Sequence, residues 1–90
     1  MLFMVVEHFK DQDPAPVYKR LEERGRQMPD GLSYINSWIE VGMRRCFQVM
    51  ETENPMLMQE WISNWKDIMD FEVVPVVTST EMRTLFSSAP

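Results

Sequence analysis

Apolar residues crowd the start of the chain. Leu2, Met4, Val6 and His8 form one alternating row, and Phe3, Val5, Glu7 and Phe9 form the other. Side chains alternate across a strand, and here both rows are apolar over most of their length. A central strand buried on both faces has this pattern. The short run and its paired valines favour strand over helix. Which row faces which layer stays open, because both are apolar.

Asp13-Pro14 then supplies a cap residue and a proline suited to the first helical position, where its missing N–H costs nothing. A helix is expected from Ala15 to about Gln27. Val17, Leu21 and Met28 mark its apolar stripe, and Lys19, Arg20, Glu22, Glu23 and Arg26 its solvent side. Gly25 or Pro29-Asp30-Gly31 ends it. Leu32–Val41 alternates as a second strand, with Leu32, Tyr34, Asn36 and Trp38 opposite Ser33, Ile35, Ser37 and Ile39. Gly42 marks a turn, and Arg44–Thr52 returns as the third strand of a hairpin.

Asn54-Pro55 repeats the cap-and-proline signal. A second helix is expected to about Met69, with Leu57, Met58, Trp61, Ile62, Trp65, Ile68 and Met69 in a broad apolar band. Phe71–Val77 reads as the fourth strand. Pro75 inside it cannot donate to a ladder, so this strand is an edge or is bulged there. Thr78–Phe86 reads as a short helix and Ser87–Pro90 as a loose tail.

The order β-α-β-β-α-β is that of the ferredoxin-like fold. Right-handed crossovers then give an α+β domain whose antiparallel four-stranded sheet runs 4-1-3-2, with two helices on one face. Residues 1–80 are expected to form this single domain and 81–90 a C-terminal extension. Two helices leave the other sheet face uncovered, which is more apolar surface than a monomer normally carries. Burying several hundred Å² at about 25 cal/mol per Å² is worth several kcal/mol, comparable to a small domain's whole stability. A homodimer through the open sheet face, forming a dimeric α/β barrel, is the expected cover.

Composition narrows the function. Ninety residues make one domain. The net charge of −5 opposes phosphate backbones, so no nucleic-acid partner is expected. One cysteine, Cys46, forms no intramolecular disulfide and fits a reducing cytoplasm. One Cys and one His are too few for a zinc site, and neither a metal nor a cofactor is expected. No apolar run approaches the ~20 residues that cross a bilayer, and Met1–Val6 lacks a basic leader. No membrane partner is expected, and a cytoplasmic location is. Nine methionines read as core filling before they read as an adaptable binding surface.

Four stretches carry a resemblance: Met1 to Phe9, Leu32 to Trp38, Arg45 to Thr52, and Trp65 through Asp70-Phe71-Glu72-Val73-Val74-Pro75-Val76. Through them residues 1–80 resemble a small bacterial family of unknown function within the dimeric α/β-barrel superfamily. The resemblance implies the ferredoxin-like fold and the barrel dimer. It implies no settled activity, since that superfamily includes cofactor-free monooxygenases, haem-degrading enzymes, isomerases and stress-response proteins. The haem-degrading members use a histidine from the second helix, and none stands there in this chain.

In a 4-1-3-2 sheet the end of the first strand lies beside the starts of the third and fourth. Glu7, His8, Arg44, Arg45, Cys46 and Glu72 then gather at one end, near Trp65 and Lys66. His8 and Arg45 are the candidate catalytic pair, a histidine beside a guanidinium being able to take a proton or hold an anion. Asn36, Trp38, Trp65 and Glu72 are the candidate ligand-binding residues, with Trp38 and Asn36 lining a flat pocket between the second helix and the sheet. The plainer account pairs Arg44 or Arg45 with Glu7 or Glu72 and packs the tryptophans in the core. The expected function is a homodimeric small-ligand-binding or interaction module. The alternative is a cofactor-independent monooxygenase- or isomerase-like enzyme acting on a small organic substrate.

Overall fold

The computed structural model describes residues 1–87. Its elements are β1 (Leu2–Phe9), a 3-10 turn (Lys10–Gln12), α1 (Ala15–Arg24), β2 (Ser33–Ile39), β3 (Arg45–Glu51), α2 (Pro55–Ser63), β4 (Met69–Val76) and α3 (Ser79–Ser87). Of the extension expected over 81–90 and the tail over 87–90, residues 88–90 lie outside the described residues. The strands form one antiparallel sheet in the order β2-β3-β1-β4. Read from the β4 edge, that is 4-1-3-2. Pro75 sits on β4, at the edge, opposite Phe3.

The two rows of β1 separate cleanly. Phe3, Val5 and Phe9 join Met50 of β3, Met69 of β4, Val17 of α1, and Met58 and Trp61 of α2 in one buried cluster. Both α1 and α2 therefore cover the sheet face that carries Phe3, Val5, Glu7 and Phe9. The row Leu2, Met4, Val6 and His8 faces the other way. Register places Phe47 and Val49 of β3, and Val74 and Val76 of β4, on that same open face, with Trp38 and Asn36 of β2 beside them.

Two helix ends and the alternation of one strand depart from the sequence reading, each for a local reason. The first helix stops at Arg24 rather than near Gln27, because Gly25 turns the chain (φ 68°, ψ −163°) while its N–H bonds Leu21 O. The second stops at Ser63 rather than Met69. Trp65 follows in a turn held by Lys66 N–H to Ile62 O, and Met69 and Asp70 are taken into β4 opposite Phe9 and His8. Strict alternation also fails in β2, where a bulge lies between Tyr34 and Asn36. Tyr34 and Asn36 consequently point to opposite faces, and Asn36 and Trp38 share the open one.

The helix α3 buries none of its side chains, and Met82, Leu85 and Phe86 are exposed along it. Among the described residues no helix is long and apolar enough to cross a membrane.

Candidate functional site

Alternation along β1 brings a carboxylate into the core. Glu7 follows Phe3 and Val5 on the helix-covered row and is only 5% exposed. Register sets Cys46 of β3 opposite it. Gln48, two residues further on the same row of β3, is also buried, with Ser37 of β2 across from it.

The chain between α1 and β2 closes this polar group from above. Because α1 ends at Gly25, Arg26 leaves the helix and its backbone carbonyl is available. That one carbonyl accepts both buried indole N–H groups, from Trp61 at 3.0 Å and Trp65 at 3.1 Å. The Arg26 guanidinium stacks over Tyr34, its Cζ 3.6 Å from the ring centroid, and Nη1 donates to Gln48 Oε1 at 3.2 Å. Tyr34 and Ser37 share a hydroxyl hydrogen bond of 2.7 Å. An Arg stacked on an aromatic ring and bonded to an amide is fixed in place.

Between these groups lies a cavity of about 80 Å³, lined by Glu7, Tyr18, Arg26, Cys46, Gln48, Trp61 and Trp65 among others. Burial dominates its electrostatics. It raises the Glu7 carboxyl to about 7, while the Cys46 thiol, which donates to the carboxylate, and the Arg26 charge pull the other way. Desolvation disfavours a carboxylate with no contacting cation. Burial and then the neighbouring Glu7 charge push the Cys46 thiol to about 12, so it stays protonated and is a donor rather than a nucleophile. Burial also raises Tyr18, with Cys46 and Glu7 adding to the shift.

Only one residue singled out from sequence for ligand binding, Trp65, lines this cavity. His8 lies on the open face, opposite Arg45 of β3 and Asp70 of β4. Arg45 is engaged with Glu40, Nη2 to Oε2 at 2.7 Å, and not with Glu7 or Glu72. Glu72 is opposite Val6 on the open face. The flat pocket expected between α2 and the sheet does not contain Trp38 or Asn36. The bulge sets both on the open face, where Trp38 is 53% exposed and Asn36 Oδ1 accepts from the Ser37 N–H at 2.8 Å. The strand ends do converge as expected, but the sheet itself divides them: Glu7 and Cys46 on the helix side, His8, Arg45 and Glu72 on the other. The sequence gathers Glu7 at these strand ends only as an ion-pair partner, although an acid in the row Phe3, Val5, Phe9 is the signal that marks it as a site residue. Among the described residues no three His, Cys, Asp or Glu side chains group as metal ligands do.

Residues 1–89 match the family model described as a domain of unknown function, DUF3303. The chain belongs to that family. No curated protein and no solved structure matches it significantly.

Proposed function

We propose that this member of the DUF3303 family is a homodimeric binding module for a small organic ligand, held in the Glu7 cavity of each protomer. The scaffold is read as ferredoxin-like, and its assembly as a dimeric α/β barrel joined through the open sheet faces. One observation carries the ligand reading: a carboxyl group only 5% exposed stands in the wall of a cavity. Burying a carboxylate with no cation in contact costs several kcal/mol, and an apolar residue would pack there without that cost. Such a group in a cavity marks a functional site.

The cavity sets the ligand's size and character. A cavity of about 80 Å³ admits a small molecule rather than a drug-sized one. The ligand has one polar end toward Glu7, Arg26 and Gln48, and an apolar body against Trp61, Trp65 and Met69. His8 and Arg45 belong in this reading to the end of the dimer face.

Protein NMR tests it. Titrating small ketones, amides and amines of that size is expected to shift the indole N–H signals of Trp61 and Trp65 saturably, leaving the Trp38 indole unmoved. Indole signals of Trp61 and Trp65 that stay fixed at millimolar concentrations of every compound would overturn it.

A further inference from the structure

The cavity holds the parts of a proton-transfer site and not only of a binding site. We propose that Glu7 is a general base that removes a proton from the carbon next to a carbonyl, in a small neutral ketone or aldehyde held between Glu7 and Arg26. The inference rests on the cavity being the ligand site.

Two features of the geometry support it, with the electrostatics of Glu7 beside them. The carboxyl is buried in the cavity wall, which Trp61 and Trp65 also line. A general base works best when its own proton affinity sits near the operating pH, and burial lifts Glu7 to about 7. Across the same cavity is Arg26, whose guanidinium is fixed by Tyr34 and Gln48. A positioned N–H donor stabilises the negative charge that develops on a carbonyl oxygen, at no reorganisation cost.

The step balances within these groups. The carbon–hydrogen bond breaks and the proton passes to a Glu7 carboxylate oxygen. The bonding pair becomes the carbon–carbon double bond of an enolate, and the carbonyl pair moves to oxygen, which accepts from Arg26. The Glu7 acid proton then exchanges with solvent, and Glu7 delivers a solvent proton to the same carbon, giving isotope exchange, or delivers its proton to a different carbon, giving an isomer. Nothing is oxidised or reduced, and no further reactant is needed. The Cys46 thiol touches the carboxylate and is a positioning group.

Cyclopentanone, a ketone of the right size, is the probe. The full chain is incubated with it in D₂O, and loss of the protons beside the carbonyl is followed by proton NMR. Glu7→Gln, close in shape, sets the baseline and is checked for folding by its amide spectrum. Glu7→Asp keeps the carboxyl but draws it back. The wild type is expected to exchange on the order of 10²-fold faster than Glu7→Gln, with a rate that rises through neutral pH and then levels. Glu7→Asp falls between them. Equal exchange by wild type and Glu7→Gln, while the ketone shifts the Trp61 and Trp65 indole signals, overturns the base and leaves the binding site standing. No shift of those signals overturns both.

Discussion

Glu7 makes stability depend on pH in a direction opposite to most acidic side chains. Its carboxyl ionises near 4.5 when exposed and near 7 in the fold. Between those values the folded chain holds more protons than the unfolded chain, so the slope of unfolding free energy with pH is negative. The stability from the neutral buried acid is complete below about 4.5, declines as pH rises, and is gone above about 7. A shift of that size corresponds to about 3 kcal/mol. Chemical denaturation is expected to give a wild-type stability that drops by about that much between pH 5 and 8. Glu7→Gln keeps the shape and removes the ionisation, so it should lose that decline and exceed the wild type at pH 8. A wild-type profile that is flat or rising across this range contradicts the buried neutral acid. The residue was legible in the sequence as an acid on an apolar row. Its importance was not, because period-two alternation identifies the row but not the layer that covers it. His8, the more conspicuous titratable group, lies on the adjacent row and thus on the opposite face.

Elements were legible where side-chain period and caps agreed, and illegible where one residue bent the backbone. The Asn54 side chain caps α2 by accepting from the Met56 N–H at 3.1 Å, with Pro55 at the first helical position, and both were readable. The bulge in β2 leaves only a faint signal: Ser33-Tyr34-Ile35-Asn36 runs polar, apolar, apolar, polar, a break in alternation that a buried strand end would equally explain. It reversed Tyr34 relative to Asn36 and so placed the Arg26-stacking ring in the site. Gly25 was readable as a stop, but its effect on the site was not. Its backbone, at φ 68° and ψ −163°, lies in a region that essentially only glycine occupies. That conformation turns the next carbonyl, of Arg26, toward both indoles. Gly25→Ala is expected to cost about 1–3 kcal/mol, although an added Cβ would meet no atom within 4 Å. The cost is backbone strain, not collision. The Trp61 and Trp65 indole N–H signals should move together in that variant, because they share one acceptor. Unchanged stability with unchanged indole signals would refute this role for the turn.

For the whole molecule the unresolved balance lies on the open sheet face. The helices α1 and α2 bury one row of β1, while Met4 and Val6 of the other row lie among Phe47, Val49, Val74 and Trp38. Trp38 remains 53% exposed and Val74 42% exposed. Val6 is itself only 8% exposed, but large side chains left half in water across one sheet face favour association. A two-fold pairing of these faces would bury each copy's patch against the same patch on the other. With roughly 25 cal/mol per Å² gained, even a modest shared area contributes several kcal/mol. Sedimentation equilibrium at tens of micromolar is therefore expected to give twice the chain mass. The double substitution Trp38→Glu with Val74→Glu tests the face itself. Both side chains are already half in solvent, so the protomer should keep its fold, while the new acids would be buried against the partner's apolar patch. The variant is expected to sediment as a folded monomer and still shift its Trp61 and Trp65 indole signals with ligand, because the cavity lies behind the other face. A wild type that stays monomeric and soluble at that concentration removes the dimer from the proposal. A variant that still dimerises moves the interface elsewhere, with the exposed Met82, Leu85 and Phe86 of α3 the next surface to substitute.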